Sequence, residues 1–233
     1  MSTDLVHRAI DDILRRISSG QFPAGSALPP EDELANLLKV SRLTMREAVK
    51  VLKDRRVLDV IHGRGTFVLP LEEWTDLSSI ATLLTDRVSP KELGLQLTQV
   101  RRMLEVGAAG LAAGNRSEED LARLEQDLRA YEEAHDADDV EAALNSDLAF
   151  HRHILAASGN PFVGAIMQPL QATLSLSRRH TSALPDVRER AQGHHRKIFE
   201  AIAAGRADEA KNAMRAHMTQ TANDIASLPD STD

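Results

Sequence analysis

The sequence predicts a mainly α-helical chain in two parts. The N-terminal part has three helices and a β-hairpin, and the C-terminal part is an all-α bundle of six or seven helices. Two observations predict this fold class. Apolar residues recur with helical spacing along most of the chain, except for two short β-type runs that flank a turn at residues 62–65. Aromatic residues make up only 3% of the 233 residues, so the core must be filled by aliphatic side chains, many of which favour helices.

The N-terminal part begins with three predicted helices. Residues 5–17 place apolar side chains on one face, and a turn segment with three prolines follows over residues 21–30. A short helix is predicted from about residue 30 to residue 38. Ser41 is then a suitable N-cap for a third helix, whose apolar face includes Met45. Two helices joined by about three residues are typical of a helix-turn-helix.

A β-hairpin is predicted directly after the third helix. Residues 57–61 and 66–69 have the composition of strands, and the turn between them has a Gly-Arg-Gly tip. A hairpin in this position is a wing. We therefore predict a winged helix-turn-helix DNA-binding domain over residues 1–70 and a linker over residues 71–79. A metal- and effector-binding domain is expected over residues 80–233.

The C-terminal part contains only helical patterns. Glycine, proline or asparagine marks most of the boundaries between the predicted helices. The helices are predicted over residues 92–113, 117–134, 138–157, 160–179, 186–204 and 206–227. Such a bundle, about 150 residues long, is large enough for a core of its own.

Composition and charge limit the class of protein. The chain is 42% hydrophobic and 27% charged, which is typical of globular proteins. It has no cysteine, so any metal must be bound by histidine and carboxylate. No apolar run approaches the ~20 residues of a membrane span, and a signal peptide pattern is missing. We therefore expect a cytoplasmic protein with no membrane partner.

Positive charge is concentrated in the N-terminal part, although the whole chain has a formal net charge of −7. Residues 1–70 carry 11 basic and 9 acidic side chains, whereas the rest of the chain carries 17 basic and 26 acidic ones. An acidic protein can bind nucleic acid through such a local basic region. The charge pattern alone is equally compatible with a solvated surface.

The start of the third helix carries the candidate DNA-reading residues. Arg42 and Arg46 share one helical face, and arginine can bind guanine in the major groove. Thr44 can bond to a phosphate or a base edge. His62 and Arg64 at the wing tip can reach the minor groove. The alternative is that Arg46 pairs with an acidic residue, Glu31 or Glu47, at the surface.

The N-terminal part resembles the winged helix-turn-helix of GntR-type bacterial repressors. The matching segments are residues 20–30, Glu33-Leu34-Ala35, residues 40–48 and residues 63–68, in that order. The resemblance implies DNA contacts by Arg42, Thr44, Arg46 and the wing tip His62-Gly63. This chain has Asp32 where family members often have arginine. We do not transfer that phosphate contact, because an acid would repel phosphate.

Seven of the nine histidines lie in the C-terminal part, and three of them have a pattern that could bind metal. Asp147 and His151 are one helical turn apart among apolar residues, where a lone carboxylate would be costly. His195 and His217 lie on apolar stripes of two later helices. One carboxylate and three imidazoles suit a divalent ion, Zn²⁺, Ni²⁺, Mn²⁺ or Fe²⁺, and leave positions open. The alternative is that these histidines are unrelated surface or helix-end residues.

The C-terminal part is similar to the FCD effector domain of the FadR subfamily. The matching segments are residues 147–151, 157–160, 195–198 and 214–217. The resemblance implies a divalent metal bound by Asp147, His151, His195 and His217. It favours His195 over His194, because Arg196 and an isoleucine stripe follow His195. Arg101 resembles the arginine that grips an effector carboxylate.

Together these patterns predict a metabolite-responsive transcription regulator, expected to be a repressor and not an enzyme. Its expected partners are double-stranded DNA with a pseudo-palindromic operator, a small carboxylic acid effector and a second copy of the chain. Two alternatives remain: a regulator whose metal is purely structural, and a metal-dependent hydrolase. The hydrolase is disfavoured because no motif supplies a general base beside the predicted metal ligands.

Overall fold

A computed structural model describes residues 2–229 of the chain, so the last four residues of the predicted C-terminal domain lie outside the described part. The chain divides into two compact units, Met1–Val88 and Ser89–Asp233. The first unit contains α1 (Ser2–Ser18), α2 (Glu31–Leu37), α3 (Arg42–Asp54), β1 (Leu58–Ile61), β2 (Gly65–Val68) and α4 (Leu77–Arg87). The second contains α5 (Pro90–Asn115), α6 (Glu118–Asp136), α7 (Val140–Ala157), α8 (Pro161–Met167), α9 (Gln171–Ser182), α10 (Pro185–Ala203) and α11 (Ala207–Ala226).

The first unit has the predicted winged helix-turn-helix architecture. The Ser41 hydroxyl accepts a hydrogen bond from the backbone N–H of Thr44, at 3.0 Å, and so caps α3. β1 and β2 form an antiparallel pair, with Leu58 opposite Val68 and Ile61 opposite Gly65. The tip of this wing needs glycine, because Gly63 and Gly65 have φ values of 74° and 115°. The predicted fold class is confirmed.

Helix α4 packs on α1 within the first unit. Its N-cap is Asp76, whose side chain accepts from the backbone N–H of Ser79 at 2.8 Å. Leu83 is buried in the same core as the apolar face of α1. At the other end of α4, an Arg87 guanidinium nitrogen donates to the carbonyl of Ile17 at 2.9 Å. The sequence predicts a linker over residues 71–79, whereas the structure begins α4 at Leu77.

The second unit is an all-α bundle around an apolar core. Small residues of α5 allow close packing against α11, because a Cβ added at Gly110 would lie within 2.5 Å of the Lys211 side chain. The core side chains come from α5, α6, α7, α10 and α11, and include Ala109, Leu124, Phe150, Ile198 and Met214. No helix of the described residues is long and apolar enough to cross a membrane.

One predicted helix is interrupted. The sequence analysis placed a single helix over residues 160–179, but the structure has α8, a 3₁₀ turn over Gln168–Leu170, and α9. Pro169 lies in this turn and has no backbone N–H to continue the helical hydrogen bonds. The buried face of α9 includes Arg178.

Candidate functional site

The predicted DNA-reading residues of α3 lie at its exposed N-terminal end, with one exception. Arg42 and Arg46 are both more than 70% exposed, and Leu43 between them is 71% exposed. Thr44 is instead buried, and its hydroxyl lies 2.8 Å from the Ser41 hydroxyl. The side chain of Thr44 therefore stabilises the start of α3 in this structure.

Acidic residues of α2 form ion pairs with both arginines that are predicted to contact DNA. Arg42 Nε lies 2.9 Å from an Asp32 carboxylate oxygen, and Arg46 Nε lies 3.4 Å from a Glu31 oxygen. The sequence analysis considered a surface pair for Arg46 but did not anticipate the pairing of Arg42. Exposed pairs of this kind contribute only about 0–1 kcal/mol each, so they can open on DNA at little cost.

The predicted wing residues form an exposed tip. His62, Gly63 and Arg64 are all exposed. The Arg64 guanidinium carbon lies 5.8 Å from the centre of the Phe67 ring, which orients its stem along β2.

The four predicted metal ligands come together inside the second unit. Asp147 and His151 come from α7, His195 from α10 and His217 from α11, and all four are buried. One potential ligand atom from each lies within 4.8 Å of the others. Ligand atoms of a tetrahedral zinc ion lie about 3.4 Å apart, so a shift of about 1 Å or less in each atom would bring these atoms to bonding distance.

The three imidazoles have the charge state of metal ligands. Burial lowers the pKa of His151, an effect that Arg101 reinforces and Glu105 opposes. Burial, together with neighbouring histidines and arginines, keeps the pKa values of His195 and His217 well below the usual range. All three rings are therefore neutral at pH 7 and can offer a lone pair.

The donor set fits a divalent cation. Neither ring nitrogen of His195 has a hydrogen-bond partner among residues 2–229, although the ring is fully buried. The Nε2 atoms of His151 and His217 face each other at 3.2 Å. Since a buried nitrogen without a partner is costly, a shared ion explains why these groups face one point.

A carboxylate that the sequence analysis did not predict orients one of the ligands. Glu105 Oε2 lies 2.6 Å from His151 Nδ1, which leaves Nε2 directed at the other ligands. Metal-bound histidines commonly donate their second nitrogen to a carboxylate in this way. Burial raises the pKa of Glu105, but Arg101 and His151 outweigh that effect and hold it well below its usual range.

Arg101, predicted to bind an effector, lies at the edge of this cluster. Its side chain is buried and bonds to Glu105 at 2.7 Å, and one guanidinium nitrogen lies 3.2 Å from His151 Nε2. Arg178 of α9, which the sequence analysis missed, pairs with the Asp147 carboxylate. No local pattern in the sequence identifies Arg178 as a residue of this site.

A small cavity adjoins the cluster. Its volume is about 40 Å³, and Arg101, Asp147, Arg178 and His217 form the side next to the predicted metal ligands. A third arginine, Arg188 of α10, also lines it and is 1% exposed. Buried arginines around a cavity favour an anionic ligand.

Comparisons with known proteins cover both units. Residues 5–68 match the family described as bacterial regulatory proteins, gntR family, and residues 96–220 match the FCD domain. The HTH-type transcriptional regulator LutR of Bacillus subtilis is 32% identical over 209 residues, which cover 87% of this chain and 93% of the relative. The fatty acid metabolism regulator protein of Escherichia fergusonii is 31% identical, and the match covers 87% of this chain and 83% of that protein.

A solved structure has the same overall fold. A GntR protein of Streptococcus agalactiae matches with a TM-score of 0.53 at 27% identity, over 94% of this chain and 99% of that one. The relatives named in these comparisons are regulators of transcription or metabolism and not enzymes.

Proposed function

Because the chain belongs to the GntR family of bacterial transcription regulators and carries an FCD domain, we propose that it is a repressor controlled by a small organic acid. The proposed effector binds at a divalent metal in the second unit and lowers the affinity of the winged domain for its operator. The observation that carries this proposal is the cluster of Asp147, His151, His195 and His217 beside a cavity lined by arginines. The hydrolase alternative is dropped, because the family consists of regulators.

The winged domain is proposed to read the operator through α3 and the wing. Arg42 and Arg46 contact base edges in the major groove, where a bidentate arginine–guanine pair discriminates by about 1–3 kcal/mol. The backbone around Thr44, at the N-terminus of α3, faces a phosphate. His62, Gly63 and Arg64 enter the minor groove, where the glycine allows close approach.

Metal and effector share one site in this proposal. Asp147, His151, His195 and His217 hold the ion, and Glu105 keeps the His151 ring in its binding orientation. The ion supplies a strong positive charge with positions open to a carboxylate oxygen. Arg101 donates hydrogen bonds to the same carboxylate, since its guanidinium already reaches the ligand His151 at 3.2 Å.

The regulator is proposed to act as a homodimer, because two copies would read the two halves of a pseudo-palindromic operator. A stripe on α5 is our candidate contact. Val100, Met103 and Leu111 lie on one face of this helix and are 36%, 79% and 46% exposed. We expect Met103→Glu to shift the chain to monomers in analytical ultracentrifugation, whereas Leu176→Glu at an exposed leucine of α9 leaves the dimer intact.

Thermal unfolding tests the metal and effector together. The metal-stripped and Zn²⁺-loaded chain is heated with a panel of small carboxylic acids. A ligand at 100 times its dissociation constant adds about 2.7 kcal/mol of stability. We expect Zn²⁺ to stabilise the wild type and one class of acid to stabilise it further. His217→Ala should abolish both effects, and Arg101→Met only the effect of the acid.

Two control variants change exposed residues and leave the predicted metal and effector site intact. His180→Ala changes an exposed histidine of α9, and Arg102→Met changes the exposed arginine next to Arg101. Both should behave as wild type. Stabilisation by Zn²⁺ but by no acid would contradict the effector and support a structural metal. No response to either would contradict the whole site.

DNA binding is tested with fragments from upstream of the chain's own gene. We expect Arg42→Ala and Arg46→Ala to abolish a specific gel shift, whereas Arg8→Ala, an exposed change on α1, retains it. The acid that stabilises the protein should release the wild type from the fragment, and a reporter should then be derepressed. Specific binding that survives both arginine changes would contradict the assignment of these residues.

A further inference from the structure

The cavity beside the predicted metal ligands has a second end that the proposed function does not use. Arg188 of α10 lies there together with Gln220 of α11, and both line the cavity. Arg188 donates to the Ser182 carbonyl at 2.7 Å and pairs with Asp138. Its Nε atom is buried and has no hydrogen-bond partner within residues 2–229.

The charges around the cavity balance only without a metal. Arg101 pairs with Glu105, Arg178 with Asp147 and Arg188 with Asp138. Asp224 also lines the cavity, but it pairs with Arg190 at 2.7 Å. A divalent cation bound by Asp147 and three neutral imidazoles would therefore add two positive charges that these pairs do not compensate. Because uncompensated buried charge is costly, the site calls for a ligand with two negative charges.

One buried acceptor beside the cavity is suited to a hydroxyl group on the ligand. The Gln220 amide nitrogen donates to Asp224, which directs the amide oxygen away from that carboxylate. This oxygen, Oε1, is buried and lacks a partner among the described residues. An acceptor of this kind needs a donor, and a carboxylate has none at neutral pH. A hydroxyl group supplies one.

The volume of the cavity limits the length of the ligand. A volume of about 40 Å³ favours a compact ligand over an extended chain. Thr181 and Thr221 line it, and each donates its hydroxyl to a backbone carbonyl, of Arg178 and His217 respectively. Their oxygens keep free lone pairs, and Tyr131, Val187 and Ala191 supply apolar lining beside them. A long acyl chain does not fit in this volume.

We propose that the effector is a short hydroxylated dicarboxylate. One carboxylate binds at the metal and Arg101, the second binds Arg188, and the hydroxyl donates to Gln220 Oε1. This inference rests on the proposed function, since it assumes that an acid binds at the metal. It adds the chemical class of that acid and the two residues that select it.

Calorimetric titration of the Zn²⁺-loaded full chain tests the class. The ligands are malate and tartrate, succinate without the hydroxyl, lactate with a single carboxylate, and octanoate as a long monoacid. We expect the tighter of malate and tartrate to bind about tenfold or more tightly than succinate or lactate, because each comparison removes one buried hydrogen-bonded group. Octanoate should not bind. Lactate or octanoate binding as tightly as malate and tartrate would overturn the inference.

Two variants test which residues determine the preference for a hydroxylated diacid. Arg188→Met should remove the preference for the hydroxylated diacid over lactate, and Gln220→Met the preference over succinate. Each should leave the other preference in place. Arg196→Met on α10 and Gln96→Met on α5 change exposed residues and should keep both preferences. Unchanged selectivity in Gln220→Met would contradict the hydroxyl contact.

These experiments distinguish a failure of the proposed function from a failure of the inference about the effector class. If Zn²⁺ binds but none of the acids does, the effector of the proposed function fails. If a monoacid binds best, only the inference about its class fails. If circular dichroism shows that Arg188→Met does not fold, the wild-type ligand series and Gln220→Met still decide the outcome.

Discussion

Replacing Asp32 by arginine should change how the winged domain responds to salt on DNA. In the structure Asp32 lies 2.9 Å from Arg42, at the end of the helix-turn-helix that carries the predicted DNA contacts. Its carboxylate cancels part of the Arg42 charge and would repel a nearby phosphate. Arginine at this position would instead offer a phosphate contact and release Arg42.

The magnitude follows from counterion release. Each phosphate neutralised on duplex DNA adds about 0.9 to the slope of log affinity against log salt. One new contact therefore steepens the slope by about 0.9 for each protomer bound. Between 50 and 200 mM salt, this contact costs the variant an extra factor of about 3.5 in affinity per protomer. Asp32→Asn breaks the pair without adding a cation, so its slope should steepen less than that of Asp32→Arg.

Fluorescence anisotropy with a random-sequence duplex measures this slope without knowledge of the operator. Asp54→Arg is the control, because it makes the same change of charge at the exposed far end of α3. That end lies about 18 Å along the helix from Arg42, beyond the Debye length at these salt concentrations. Equal slopes for wild type and Asp32→Arg would refute the reasoning, as would an equal steepening in both arginine variants.

Three further predictions concern the second unit. Chelation should lower the melting temperature measured by scanning fluorimetry, and Zn²⁺ should restore it in wild type and in His180→Ala but not in His195→Ala. The metal-free chain should lose stability as the pH falls below about 6.5. Burial lowers the pKa values of His151, His195 and His217 in the folded chain, so the unfolded chain binds more protons at these residues. Each of these histidines therefore lowers the free energy of unfolding by up to about 1.4 kcal/mol per pH unit. Urea unfolding at pH 7.5, 6.5 and 5.5 checks this, and a flat profile would contradict it. Glu105→Gln should weaken Zn²⁺ binding about 10- to 100-fold in competition with a chromophoric chelator, because His151 loses its orienting carboxylate, whereas Glu92→Gln at the exposed start of α5 should not.

Local signals explain what the sequence alone could predict. The Ser41 cap, the glycines of the wing and the spacing of Asp147 and His151 each depend on a few neighbouring residues, and each appears in the structure as expected. Short-range rules of capping, turn formation and helical periodicity are sufficient for such features. The fold class followed from them, whereas the grouping of the four candidate ligands was implied by the resemblance to the FCD domain.

Features that depend on packing between distant segments were missed. Arg178 and Arg188 look like ordinary helix-surface residues in the sequence, but the packing of α9 and α10 directs them into a cavity. The pairing of Asp32 with Arg42 depends on how two helices meet. Glu105 becomes important only because α5 passes beside α7, where it reaches His151. No pattern within one helix contains this information.

The contacts of α4 determine where a DNA-binding fragment can be cut. A fragment that stops after the wing would lack Leu83, which is 1% exposed in the N-terminal core, and the Arg87 hydrogen bond to Ile17. Removing one buried leucine alone costs about 1.5–3 kcal/mol, a large part of the stability of a small domain. A fragment that ends at residue 88 keeps both contacts. Expression vectors for isolated DNA-binding units, or for fusions to another sensor domain, should therefore join the chain there.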